Sequence, residues 1–210
     1  MIALSSPAKI NLFLKILGKR SDGYHDIVSL FQTISLADTV TIRESDRDQI
    51  TCSQPDIPLN HDNIVMRALI LFRQKTAART SFHIHIDKHI PIGAGLGGGS
   101  SNAATALFGF NSFLKNPLTI DELHDIAKHV GSDVPFFLSE GSSICRQRGE
   151  VVQPVLPLLS GKLFVVMPDV SLSTRAVYET LDIGALKQRT LPEIYSKENL
   201  EYFNDLEEPA

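Results

Sequence analysis

Five glycines fall within the thirteen residues Pro91-Ile92-Gly93-Ala94-Gly95-Leu96-Gly97-Gly98-Gly99-Ser100-Ser101-Asn102-Ala103, and this run limits the fold more than any other stretch of the chain. Glycine reaches φ > 0 without steric cost and lets backbone approach a ligand closely, so several N–H groups can turn into one concavity. A helix starting at the end of such a run adds its free N-terminal N–H groups and the positive end of its dipole. Both flanks are ordered by pattern, which favours a phosphate cradle over a linker. Ser81 to Asp87 (SFHIHID) alternate polar and apolar side chains like a half-buried strand. Downstream, Ala104, Leu107, Phe108 and Leu114 keep helical spacing, with Ser100, Ser101 or Asn102 available as N-cap.

Two phosphate-binding patterns can be tested on these residues. Gly93 to Gly98 satisfy G-x-G-x-x-G, which formally allows a dinucleotide-dependent oxidoreductase. Against it, a Rossmann strand is buried on both faces and reads as a continuous apolar run, whereas Phe82, Ile84 and Ile86 alternate with His83, His85 and Asp87. The acidic residues at the required distance, Asp121 and Glu122, stand at a helix start instead of a strand end. The P-loop pattern fails because Gly98-Gly99-Ser100 carries no lysine, so a cation for the phosphates must come from elsewhere in the chain or from a metal.

A chain of 210 residues makes one or two domains with a proper core, and a net charge of −4 favours neither nucleic acid nor an anionic membrane as partner. Cys52 and Cys145 form no disulfide framework and fit a reducing compartment. Lys9, Asn11 and Lys15 interrupt the apolar N-terminus, so no signal peptide is expected; with no long apolar run either, the reading is a cytoplasmic protein. His83, His85 and His89 have a zinc-like spacing, but alternation explains the first two as the exposed side of a strand.

In chain order, Ala8, Ile10, Leu12, Leu14 and Ile16 predict one face of a strand, with Lys9, Asn11 and Lys15 on a polar face. Ser21-Asp22-Gly23 signals a turn, followed at once by Tyr24 and His25, an aromatic and an imidazole suited to stacking on and hydrogen-bonding a base. Asp38 to Ile42 and Gln49 to Cys52 read as short strands, and Asn63 to Gln74 as a helix with Ile64, Ala68, Leu71 and Phe72 inward. Thr119 and Glu122 form a capping box for a second helix, whose buried stripe is Leu123, Ile126, Ala127 and Val130 and whose stop is Gly131. Asp133 follows, between a helix end and the apolar Phe136, Phe137 and Leu138, a placement suited to a general base. Gln153 to Pro157 mark a boundary, beyond which Lys162 to Met167 predict a strand and Thr174 to Leu181 a helix start.

Three segments in this order, Pro7-Ala8-Lys9-Ile10-Asn11-Leu12 with Asp22-Gly23-Tyr24-His25, the glycine run, and Gly131-Ser132-Asp133-Val134-Pro135, resemble the GHMP kinases, a superfamily of ATP-dependent small-molecule kinases. The resemblance implies an α+β fold of two domains, an N-terminal ATP-binding domain of mixed sheet with helices over residues 1–155 and the start of a C-terminal domain over 156–210. It implies ATP with Mg2+, and an acceptor bearing cytidine, 4-diphosphocytidyl-2-C-methyl-D-erythritol, phosphorylated on its 2-hydroxyl. Asp133 would take the proton and Lys9 would hold the hydroxyl and Asp133 in place. Asn11 and Thr174 would position the methylerythritol part, while Tyr24, His25 and Tyr178 would recognise the cytosine. Pro91 to Ser101 would bind the ATP phosphates, with Asn63 and Lys88 on the nucleotide side and Ser100 or Ser101 near the metal.

Members of that superfamily carry a further C-terminal glycine-rich motif, which this chain lacks before it stops at Ala210. The expectation is therefore a fragment or a reduced form, with a second domain short of strands and with apolar surface exposed. A sister GHMP kinase and a nucleotide-binding module without catalysis are the competing readings.

Overall fold

The computed structural model describes residues 1–158, 160–167, 174–192, 195–196 and 198–207, with the side chains of 174 and 175 excepted. The architecture is α+β, a mixed sheet with helices on one face. Two long antiparallel strands, β1 (Ile2–Lys19) and β2 (His25–Ser45), form its spine. The first half of β2 pairs with β5 (Ser142–Gln147), itself hairpinned to β6 (Val151–Pro154). The second half pairs with β4 (Ser81–Asp87), which carries the short parallel β3 (Gln49–Cys52) on its other side.

Asp38 to Ile42 is thus the end of one long strand, not a short strand of its own. Strands of this length stay in one sheet only by bulging, and β1 shifts register between Pro7 and Lys9, Asn11 and Phe13, and Ile16 and Gly18. Each bulge resets which face a side chain takes. The expected polar face is therefore broken: Leu12, Phe13 and Leu14 are all buried, and Lys9 is only 6% exposed.

Helices α1 (Ile64–Thr76), α2 (Gly98–Phe113) and α3 (Ile120–Val130) cover the sheet. Their core joins Val40, Ile42, Phe82, Ile84 and Ile86 of the strands to Leu69, Phe72, Leu107, Phe110 and Leu123. The capping box of α3 forms as expected, Thr119 Oγ1 accepting from Glu122 N and Glu122 accepting from Thr119 N. Of the α1 positions expected inward, Ala68 and Phe72 are fully buried, while Ile64 and Leu71 lie at the core margin and Val65 and Leu69 are buried in their place. Phe108 faces solvent, because α2 packs through Ala104, Leu107 and Phe110.

Near the C-terminus, α4 (Thr174–Glu179) follows, and β7 (Phe203–Asn204) runs parallel to β1 at Phe13 and Leu14. Asp205 fixes this edge: it accepts from Ile16 N at 2.9 Å and from Arg189 Nη1 at 2.8 Å. Lys162 to Met167, expected as a strand, is not one; a strand needs a neighbour, and among the described residues none pairs with it. Its side chains stand in solvent, Phe164 at 90% exposure.

Gly109 sits where α2 presses on the sheet. A Cβ there would lie 2.4 Å from Ile42 Cδ1 and 3.2 Å from Leu4 Cδ1. Helix propensity alone would make Gly109→Ala stabilising by about 1 kcal/mol, but overpacking should reverse the sign, to a loss of about 1–3 kcal/mol. Adding Ile42→Val, which deletes the offending methyl, should recover part of that loss. Urea denaturation of the two single variants and the double variant tests this, and a more stable single Gly109→Ala protein would refute it.

Candidate active site

The glycine run connects β4 to α2 and curls over a cavity of about 290 Å³, lined also by Ile57, Pro58, Asp62 and Asn63. Gly93, Gly95 and Gly97 have φ of 75°, 70° and 70°, alternating with Ala94 and Leu96, so the backbone turns in the tight steps that make an anion-binding nest. Gly97 is itself the N-cap of α2, in the left-handed conformation and without a side-chain cap. Ser100, Ser101 and Asn102 therefore lie inside the helix, as its third to fifth residues, and do not cap it, contrary to expectation. The reason is steric as well as torsional: a Cβ on Gly97 would meet Phe137 Cζ at 2.9 Å and Lys9 Cγ at 3.0 Å.

Beneath the loop lies a buried polar network. Asp38, 1% exposed, accepts from Lys88 Nζ at 2.5 Å, from Asn102 Nδ2 at 2.8 Å and from the backbone N–H of His89 and Ile90, each at 2.8 Å. Asn102 also donates to Ser6 Oγ, which shares a 2.8 Å hydrogen bond with Ser101 Oγ. Lys88 thus lines the cavity with its charge paired, and a Cβ on Gly98 would touch its Nζ at 2.9 Å. Asn63 likewise lines the cavity while capping α1, accepting from Val65 N and donating to Pro58 O.

On the other side of the loop, β1 and the segment after α3 meet. Lys9 donates through its backbone N–H to Leu96 O at 2.9 Å, which ties the strand to the loop. Its Nζ reaches Asn11 Oδ1 at 2.6 Å, lies 4.0 Å from Asp133 Oδ2 and sits over the Phe31 ring. Asn11 in turn donates to Ser29 Oγ, whose hydroxyl donates to Phe13 O. Asp133 stands in the turn between α3 and the 3₁₀ helix Pro135–Leu138.

A third group extends from there. His25 stacks on Tyr178 with centroids 5.0 Å apart, and burial lowers the imidazole below its usual range, Lys19 acting in the same direction. Burial, aided by the negative charge of Asp133, pushes the Tyr178 hydroxyl up to about 12. Tyr24 is 54% exposed, with the Arg148 guanidinium 5.1 Å from its ring centroid. The side chain of Thr174 lies outside the described residues.

The fold therefore brings Lys9, Asn11 and Asp133 together, and places Tyr24, His25 and Tyr178 around one rim. Asp38, Ser6, Asn102 and Arg148 escaped sequence reasoning. One signal was available for Asp38: it shares the inward register of Val40 and Ile42, so alternation puts a carboxylate on a core face.

A family model for the GHMP kinases N terminal domain matches residues 63–141. The 4-diphosphocytidyl-2-C-methyl-D-erythritol kinase of Protochlamydia amoebophila is 46% identical over 209 residues, covering 100% of this chain and 72% of that protein. The chain belongs to this kinase family. The chloroplastic enzyme of the same name from Arabidopsis thaliana is 41% identical over 100% of this chain, which spans 57% of the plant protein's length. A crystal structure of a 4-(cytidine 5'-diphospho)-2C-methyl-D-erythritol kinase superposes with a TM-score of 0.79 at 30% identity, covering 99% of this chain and 76% of the other. Homoserine kinase from Cytophaga hutchinsonii, at 18% identity and a TM-score of 0.63 over 90% of this chain and 61% of that one, shares the fold. The G-x-G-x-x-G match opens no dinucleotide unit, since α2 leads into α3 and not into a parallel strand.

The buried pair under the loop makes a stability prediction. Asp38→Ala leaves the Lys88 ammonium and two backbone N–H groups without their acceptor, a loss expected at about 3–5 kcal/mol. Adding Lys88→Met should restore part of it. Chemical denaturation of both variants decides the matter, and an Asp38→Ala protein as stable as the parent would disprove the role given to this carboxylate.

Proposed function

We propose that the chain is the ATP-dependent kinase module that phosphorylates the 2-hydroxyl of 4-diphosphocytidyl-2-C-methyl-D-erythritol, a step in isoprenoid precursor biosynthesis. The observation that carries this is the placement of the Lys9 and Asp133 pair directly beside the glycine nest, with Tyr24, His25 and Tyr178 at the same rim. The relatives named for this activity support it. On this reading residues 1–155 form the nucleotide-binding domain and 156–210 the start of a second.

The nest and the α2 N-terminus would hold the ATP phosphates, because their N–H groups have no side-chain cap competing for them. Ser101 is committed to Ser6, which leaves the Ser100 hydroxyl as the loop oxygen near the phosphates. Among the described residues there is no group of three or more His, Cys, Asp or Glu that would cage a metal. An oxygen-only set of Ser100 and nucleotide phosphates suits Mg2+, which keeps its waters and shares charge with phosphate. When bound, that ion would neutralise charge on the phosphates.

Phosphoryl transfer asks the protein mainly for position and electrostatics. Asp133 would accept the proton from the substrate hydroxyl, and Lys9 Nζ, held by Asn11 and within reach of Asp133, would stabilise the developing alkoxide. Asn11, together with Thr174, would hold the methylerythritol. Tyr24 offers a face for the cytosine, and His25, kept neutral against Tyr178, offers one donor and one acceptor to its edge. The unpaired Cys52 and Cys145 support a cytoplasmic location, and no helix among the described residues is long and apolar enough to cross a membrane.

ADP release in the presence of 4-diphosphocytidyl-2-C-methyl-D-erythritol tests the proposal, on this chain and on a form extended with a relative's C-terminal residues. Asp133→Asn is expected to lower kcat by about 10²- to 10⁴-fold, and Lys9→Met by about 10²-fold or more. Substrate-dependent turnover by neither form would sink the assignment, and full turnover by Asp133→Asn would remove the base.

His25 gives a pH prediction with a definite sign. Its lowered value means that the ring stays neutral as pH falls through about 6.5, where an ordinary histidine gains a proton. Cytidine affinity measured by calorimetry should therefore hold through that range and fall only below it. A decline centred on the ordinary histidine value would show that His25 is not shielded or does not read the base.

A further inference from the structure

We infer that Arg148 is the binding residue for the diphosphate bridge of the substrate, held by the β5–β6 turn between the Tyr24 ring and the Asp133 carboxylate. This deepens the substrate reading proposed above and rests on it. The turn from Gln147 to Glu150 is tight, with Gln147 at a φ of 61° and Gly149 at 115°. Its tip lies against the reaction centre: a Cβ on Gly149 would stand 3.3 Å from Asp133 Oδ1 and 3.5 Å from Ser132 O. One residue earlier, the Arg148 side chain reaches the other way, its guanidinium over the exposed Tyr24 ring. The turn thus spans from the base-reading aromatic to the general base. In the substrate, the group between the cytosine nucleoside and the reacting alcohol is the diphosphate, with an ionised oxygen on each phosphorus.

The donors are oriented and open. Glu150, largely buried, accepts from Arg148 N at 2.8 Å and from Nε at 3.1 Å, which fixes the plane of the guanidinium. Nη1 and Nη2 donate to no acceptor among the described residues, and the side chain keeps 30% exposure. The other arginine at this rim, Arg20, is committed to Asp22 through Nε and to Asp26 through Nη1. Arg148 therefore offers the outer edge of a planar fork, the geometry that pairs with two phosphate oxygens at once. A guanidinium bound to Glu150 purely to close the hairpin would not need the Tyr24 face.

Calorimetry on the 210-residue chain with cytidine and with cytidine 5′-diphosphate tests this, because the two ligands differ only in the phosphates. The parent chain should bind the diphosphate more tightly than the nucleoside. Arg148→Met keeps the apolar stem over Tyr24 and removes the charge; it should weaken the diphosphate by about 10- to 100-fold and leave cytidine unchanged. Arg148→Lys should recover part of the loss, since it restores charge without the fork. Retained diphosphate affinity in Arg148→Met would overturn the role of Arg148 while leaving the substrate reading intact. An equal loss for both ligands would also overturn it, showing that Arg148 acts only through the Tyr24 ring. A parent chain that binds neither ligand would overturn this inference and the cytidine-bearing substrate together.

Discussion

The glycine loop has its shape because Asp38 is buried beneath it. Four donors converge on that carboxylate from three directions: the Lys88 ammonium, the Asn102 amide, and the N–H groups of His89 and Ile90. The loop leaves β4 at the point where three of these donors stand, and the fourth, Asn102, anchors the start of α2. A buried carboxylate so fully paired is costly to disturb, since any displaced donor leaves uncompensated charge in a low-dielectric core. The loop ends are thereby fixed by charge, and the glycines between them are free to take the left-handed conformations that a nest requires.

Much of the secondary structure was legible from the chain because its signals are local. The strand over Ser81 to Asp87 and the capping box at Thr119 follow from alternation and from side-chain-to-backbone hydrogen bonding, which need no distant partner. Failures came where tertiary contacts override the local pattern. Bulges in β1 reset the faces of Leu12, Phe13 and Leu14, and a bulge has no residue signature in this sequence. The two-residue β7 is too short to carry a pattern at all, and depends on Asp205 and Arg189 meeting a strand nearly two hundred residues earlier. Lys162 to Met167 has the composition of a strand, but composition supplies no neighbour.

The candidate site was legible in a different way. Pattern marked the loop as a cradle and the absence of a P-loop lysine demanded a cation from elsewhere; the resemblance pointed to Lys9, and the fold shows how it gets there. Lys9 donates its backbone N–H to the loop at Leu96 and carries its side chain toward Asp133. Nothing local could show that the second lysine lining the cavity, Lys88, has its charge paired by Asp38. Two lysines that look alike in sequence therefore stand in different settings: Lys88 is held in a buried pair, and Lys9 stands beside the carboxylate proposed as the base.

That division has an electrostatic logic. A cation left free near phosphates attracts them in the ground state as well as in the transition state, and uniform attraction does not speed the chemical step. With Lys88 paired, the nest would rely on oriented N–H dipoles, which can bind phosphate without adding a net charge to the pocket. The ammonium of Lys9 is instead kept on the proposed acceptor side, 4.0 Å from the carboxylate that would receive the proton. There its field would act on charge that appears only as the hydroxyl ionises, so its effect would be concentrated on the transition state. Asn11 and Ser29 hold the ammonium in that position through a chain that ends on the backbone of β1, and the bulge between Asn11 and Phe13 lies within the same stretch. The irregularity that made the strand hard to read is thus part of the segment that aims Lys9.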